Sequence, residues 1–372
     1  MLEPERRISI SLTTLLLVPA LIVIVLVVWQ LRGLIVLLMM SLLLASAIAP
    51  IVDTAERWHI PRWLTVILVY LGLIGGLTGV GLLIGPTVFE QLQRLIRQVP
   101  ISLTNLLNAT EAWVMTQSNT RPELVNQLFD QIVDAQGLTT WAIRSTQKLL
   151  IRSVGLTTEI AGGVFSVVLA LFLSGYFLSD SRTLTKSATR LFPKPWDERL
   201  AEQVGPISHR IGSYIRGRIL VSAILAAATT TSLSVLGLAD FALGLGAIAG
   251  VTNLIPFLGP VLGAIPALVV AISQGWWTFL WVLLLFAIIQ NVETYILDPL
   301  LVGSSVGIHP LYQLLAVLGG TQVLGILGAI IVPPWVAGAS VVLDNLYLQP
   351  KLLAERQGTV AVSVSDQVST IQ

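Results

Sequence analysis

The sequence predicts an all-α polytopic membrane protein of about eight membrane segments, two of them broken or re-entrant, with a helical extramembrane insert. Three observations carry that expectation. Hydrophobic residues make up 55% of the 372 and charged residues 11%, against about 25% charged in an average soluble domain, so the apolar surplus must face lipid. Between Arg218 and Lys351 lie 132 residues without one lysine or arginine, and that stretch holds only four carboxylates: Asp240, Glu293, Asp298 and Asp344. Apolar runs long enough to cross ~30 Å of hydrocarbon at 1.5 Å per residue recur along the chain.

The first run, Thr13 to Leu31, follows Arg6 and Arg7 and is too long for a signal-peptide core, so it reads as a membrane helix. Spans at 34–52 and 63–89 complete a three-helix start, 1–89. In the third span Gly72/Gly76, Gly75/Gly79 and Gly81/Gly85 are four apart, a spacing that predicts close packing against a neighbouring helix. At Glu90 the character turns amphipathic. Leu92, Leu95, Ile96 and Val99 recur at helical spacing among Gln and Arg, and a second helix is expected from Pro122. Residues 90–155 are therefore read as an external helical insert, followed by a fourth membrane helix in 156–179.

A linker at 180–218 contains eight basic residues, and the transport core is expected in 219–345, with a tail at 346–372 whose polar end predicts disorder. Within the core, 242–274 and 310–343 are too long and too interrupted to be simple helices. Each is expected to be either a re-entrant hairpin or a discontinuous helix, because broken helices at membrane depth persist only inside protein or beside a wet cavity. Basic residues in short loops divide 14 to 1 between the two sides, which predicts cytoplasmic termini and a cytoplasmic 180–218 linker.

Two constellations carry chemistry. In Asn253-Leu254-Ile255-Pro256-Phe257-Leu258-Gly259-Pro260 the prolines free upstream carbonyls and Gly259 allows close approach, so Asn253, Pro256, Gly259 and Pro260 are candidate ligands for a polar solute or ion. Gln290, Glu293 and Thr294 fall on one face of an α-helix. An acid inside lipid costs about 2.5–3.5 kcal/mol on the mildest scale and should be packed inward and used. The break in the second long segment is spread over Gly319-Gly320, Gly325, Gly328 and Pro333-Pro334, and Gly319 and Gly320 complete the candidate set. Asp298 before Pro299 is expected at the membrane surface, where its span ends.

The combination of IPFLGPVLGAIPA at 255–267, Gln290-x-x-Glu293, Asp298-Pro299-Leu300, Gly307-Ile308-His309-Pro310-Leu311, Gly319-Gly320 and Gly325-x-x-Gly328 resembles the autoinducer-2 exporter (AI-2E) family of permeases. The resemblance implies a bacterial inner-membrane permease, with members linked to autoinducer-2 export and others to sodium–proton exchange.

Other classes have little support. The net charge of +1 argues against a broad nucleic-acid footprint. No cysteine occurs, the three histidines are far apart with no HExxH, and neither a GxGD pair nor GxxxxGK[ST] is present, so no enzyme, metal or nucleotide cofactor is expected. The expected function is secondary transport of a small polar organic solute, autoinducer-2 being the cargo the resemblance suggests, by a homo-oligomer in the lipid bilayer. The alternatives are a sodium/proton antiporter exchanging at Glu293 and a non-transporting membrane scaffold. An inverted repeat, with span 219–238 and its hairpin against span 276–297 and its hairpin, would set the site near the midplane.

Overall fold

The computed structural model describes residues 29–117, 165–303 and 309–353, with scattered positions between 19 and 27 and Glu355. All the regular elements among the described residues are helices. Helix α1 is Arg32–Arg57 and contains the expected second span. The first expected span, the second insert helix from Pro122, the start of the fourth span and the end of the tail lie largely or wholly outside the described residues.

Helix α2, Arg62–Gln117, is 56 residues long and continues without a break through Glu90, where the sequence turns polar. The change there is one of composition and not of backbone. Past that point α2 still serves the membrane core: Leu95 is buried among Leu233, Leu238 and Phe241, and Gln91 Oε1 accepts from the Gly244 N–H at 2.7 Å. The close helix packing expected from the glycine pairs of α2 is not found among the described residues. No atom lies within 4 Å of a Cβ built at Gly72, Gly75, Gly76, Gly79, Gly81 or Gly85.

Helix α3, Phe165–Ser179, bends by 84° into the short α4, Ser181–Thr189. The basic linker is likewise largely helical. Its second half is the start of α5, Trp196–Leu233, 38 residues long, and α5 is the organising rod of the fold. It packs on α1, on α4 and on most of the elements that follow it in the core. Among the described residues five helices are long and apolar enough to cross a membrane, or six if the bent α3–α4 pair counts as one.

After α5 the chain turns at Ser234–Leu238, with Gly237 at φ 86°, into α6, Ala239–Thr252, and then α7, Leu258–Gln274. These two helices run antiparallel, since a Cβ on Gly263 of α7 would come within 2.9 Å of the Ala249 Cα of α6. At 14 and 17 residues they rise about 21 and 26 Å, each short of the ~30 Å core. Segment 242–274 is thus a helical hairpin with its tip at Asn253–Phe257, where Phe257 holds a φ of 64°.

Gly275 turns the chain into α8, Trp276–Val292, which opens on the exposed Trp276, Trp277 and Trp281, as suits a helix starting at a membrane–water interface. It continues as a π-helical stretch, Glu293–Gly303, with Pro299 inside. The helical backbone therefore runs on past Asp298 and Pro299 to Gly303. Helix α9, Pro310–Leu343, breaks at Gly325 (φ 66°, ψ −150°). A Cβ on Gly320 would strike the Gly328 carbonyl and one on Gly328 the Gly320 carbonyl. Residues eight apart on a continuous helix would be about 12 Å apart, so the chain reverses at Gly325 and forms a second hairpin. The tip of the first wedges onto it, with Ile255 packed against Val317 and Ala329.

Candidate functional site

The organising feature is a cation that the sequence analysis left in the linker. Arg218 lies on the inner face of α5 with 4% of its surface exposed. Its Nη1 donates to Glu293 Oε1 at 3.1 Å and to Asp298 Oδ1 at 3.3 Å, and its Nη2 donates to Asn253 Oδ1 at 3.3 Å. One guanidinium thus ties α5 to the first hairpin tip and to the end of α8. Glu293 is 3% exposed, whereas the Asp298 side chain is 40% exposed. Removing one partner of a buried pair typically costs 3–5 kcal/mol, because the other charge is left uncompensated.

The π-helical turn explains why these two acids share one cation. Residues five apart on an α-helix point about 140° apart, whereas i→i+5 hydrogen bonding brings them back toward one face. Pro299 favours that register, because it has no N–H to close an α turn. The same change removes Thr294 from the expected trio. Glu293 points inward, while Thr294 is exposed and accepts from Gln290 Nε2 at 3.1 Å.

Above the ion pair is a cavity of about 290 Å³ between α5, α6, α7 and α8, lined by Leu225, Thr229, Asn253, Pro260, Gln290 and Glu293 among others. Four of the nine expected site residues, Asn253, Pro260, Gln290 and Glu293, meet there. Pro256 is buried in the hairpin tip, and Gly259 packs where a Cβ would lie 2.6 Å from the Asn253 Cα. Gly319 is exposed, and Gly320 is spent on the contact with Gly328. The geometry therefore divides the nine into cavity wall, tip and second hairpin, with Thr294 left on the exposed side of α8.

Sequence reasoning missed Arg218, Ser222 and Thr229, which follow one another at four and seven residues along one side of α5. Ser222 Oγ, Thr229 Oγ1, Arg218 Nε and Asn253 Nδ2 are buried without a hydrogen-bond partner. Arg218 Nε and Asn253 Nδ2 belong to the tied side chains and Ser222 is one turn from Arg218, while Thr229 lies about 16 Å further along α5. The first three are bonding capacity beside the ion pair that a solute or water could take up. One signal could have found Arg218: a buried acid calls for a cation, and Arg218 is the last one before the 132-residue gap. One turn before it, Tyr214 is buried, and its hydroxyl accepts from Gln313 Nε2 of the second hairpin at 3.1 Å. Both hairpins are therefore fastened to adjacent turns of α5. Seventeen residues of α8 separate the tryptophan end from Glu293, a rise of about 26 Å. Among the described residues no three metal-ligating side chains gather.

Residues 18–348 match the model of the AI-2E family transporter. YrrI of Bacillus subtilis strain 168, named as a transport protein with no stated cargo, is 30% identical over 311 residues, covering 82% of this chain and 84% of the relative. YueF of the same organism is 28% identical over 289 residues, 77% of this chain and 76% of the relative. The AI-2 transport protein TqsA of Escherichia coli K12 is 24% identical over 309 residues, 82% and 84% of the two chains. The chain belongs to the AI-2E transporter family, and it is a multi-pass membrane protein of transport type.

Proposed function

We propose that this member of the AI-2E transporter family is a secondary transporter of a small polar organic solute, with the Arg218–Glu293–Asn253 tie as the latch at the inner end of its path. The observation that carries this reading is a buried ion pair at one end of a cavity, with the unpartnered Arg218 Nε, Ser222 Oγ and Asn253 Nδ2 at or within one turn of it. A closed ion pair of this kind contributes little net stability. Its retention is better accounted for by a cycle in which the first hairpin tip leaves Arg218 and a solute's hydroxyl or carbonyl groups take over the vacated hydrogen bonds.

About 26 Å of α8 lies between the tryptophan end and Glu293, so with a ~30 Å core the latch sits toward the far membrane surface. That position differs from the midplane site expected of an inverted repeat, and it suits a gate better than a central binding pocket. The cavity between latch and tryptophan end is where the solute would rest. The name of TqsA makes autoinducer-2 the first cargo to test. The sodium/proton antiporter reading ranks second: two carboxylates on one guanidinium leave a single net negative charge, and the buried one, Glu293, is already engaged by Arg218 at 3.1 Å.

The test is uptake into liposomes of autoinducer-2 and of other small hydroxylated solutes, with and without imposed proton and sodium gradients. Saturable solute uptake that Asn253→Leu abolishes supports the latch. Sodium-driven proton movement without any solute flux would replace this reading with the antiporter. We further propose an inner-membrane location with cytoplasmic termini. A single cysteine at Ser187, on α4, should then react only with reagents admitted to the cytoplasmic side.

A further inference from the structure

A second and larger cavity, about 880 Å³, lies outside the transport core, between α1, the α3–α4 bend, the start of α5 and Trp335 of α9. Its wall is amphipathic. One part is apolar, formed by Leu42, Ala45, Phe177, Leu178, Val204 and Ile207, and the other is polar, with Arg62, Arg182, Lys186, His209 and the single lining carboxylate Asp53. The 84° bend between α3 and α4 sets the boundary between the two. An apolar helix that crosses a membrane and then turns through nearly a right angle lays its polar continuation along the membrane surface. The cavity thus opens at the depth where lipid headgroups give way to acyl chains.

The charges on this rim are unevenly satisfied. Arg62 is held by Asp53 at 3.2 Å and Glu56 at 2.8 Å, and its Nε donates to the Leu178 carbonyl at 2.8 Å. It is a structural tie between α2 and α3. Arg182, 85% exposed, reaches only the far oxygen of the same Glu56, at 3.4 Å. Lys186 is one turn further along the same face of α4, lines the cavity and has no carboxylate partner among the described residues. The indole Nε1 of Trp335, on the opposite wall, is buried without an acceptor. A surplus of cations over an apolar trough, with an unpaired donor in the wall, matches a group that carries phosphate oxygens at one end and hydrocarbon at the other.

We propose that this cavity holds the headgroup and upper acyl chains of an anionic phospholipid, with Arg182 and Lys186 on the phosphate. The lipid would fill the space between α1 and α5 and so brace the start of the organising helix. Because this site shares no residue with the Arg218 latch, the inference stands apart from the transport reading, and neither failure implies the other.

The test is native mass spectrometry of the full chain released from nanodiscs of phosphatidylcholine with a minor fraction of phosphatidylglycerol. The parent should retain phosphatidylglycerol in preference to phosphatidylcholine. With about 1 kcal/mol for each basic residue at a membrane surface, Arg182→Gln with Lys186→Gln should lower that retention about thirtyfold. Lys186→Arg should keep it, and Arg97→Gln, 35 residues along α2 from Arg62, should leave it unchanged. Thermal melting in lipid-free detergent should be equal for parent and double variant, which separates lost binding from lost folding. Equal retention by parent and double variant, no preference for the anionic lipid, or full displacement by inorganic phosphate alone would each overturn the proposal.

Discussion

The two hairpins of the core are built by different means. In the first, α6 and α7 close on a proline-bounded tip whose Asn253 is 2% exposed and bonded to a buried guanidinium. In the second, the arms of α9 close on Gly325, and the flanking Val323, Ile326 and Leu327 are 66%, 72% and 51% exposed. The first is held by a polar latch, which adds little net stability when closed but is costly to leave half-paired, and whose bonds water or solute can replace when open. The second is held by backbone-to-backbone approach at Gly320 and Gly328, which is graded by shape and indifferent to charge. A polar latch can act as a switch, whereas a glycine seam mainly sets a distance.

The largest test of this difference is at the latch. Considered without its partner, Glu293→Gln would be structurally silent. Beside Arg218 it should instead lower stability by about 3–5 kcal/mol, read as thermal melting in detergent, and abolish solute uptake. Combining it with Arg218→Met removes both buried charges. Melting should then recover most of the loss while uptake stays absent. Recovery of uptake in the double variant would make the pair structural and dissolve the contrast between the hairpins.

At the seam, Gly320→Ala sets a Cβ against the Gly328 carbonyl, which cannot rotate away. It should cost about 1–3 kcal/mol by overpacking. Gly325→Ala meets open space, so its cost, also about 1–3 kcal/mol, is entirely that of a backbone conformation other residues avoid. Neither change should alter the dependence of melting on ionic strength, since no charge is involved. Gly319→Ala is the internal control. With nothing within 4 Å of its Cβ, it should shift stability by less than about 0.5 kcal/mol. A loss at Gly319 equal to that at Gly320 would show that helix backbone, and not the seam, sets the cost.

The smallest effect is expected at Thr294→Val. This exposed hydroxyl only accepts from Gln290, so the change should cost at most about 0.5–1 kcal/mol and leave uptake intact. Loss of uptake here, with Asn253→Leu tolerated, would move the working face of α8 away from the latch and toward the trio expected from helical spacing.

Composition and spacing by themselves determined that this is an all-helical membrane protein, that 242–274 and 310–343 do not cross as simple rods, and that Glu293 is the inward acid. Each of these follows from local quantities: the length of an apolar run, the missing N–H of proline, and the cost of a carboxylate in lipid. The breaking residues of 310–343 were legible as a set, but the site of reversal was not. The sequence spreads the break over Gly319-Gly320, Gly325, Gly328 and Pro333-Pro334, and of these Gly325 has the non-helical backbone inside α9.

The partner of Glu293 was decided only in three dimensions. Arg218 and Glu293 are 75 residues apart, and no periodicity connects them. The face of α8 was decided there too, because the spacing rule that joined Gln290, Glu293 and Thr294 assumes an α-helix throughout. Packing against α5, where Gly217 lets the Leu301 carbonyl approach, accompanies a π-helical turn that replaces Thr294 with Asp298. Helical register is a local property until a neighbouring helix and a missing amide hydrogen bond shift it. The choice between a lone carboxylate and a paired latch depended on that shift.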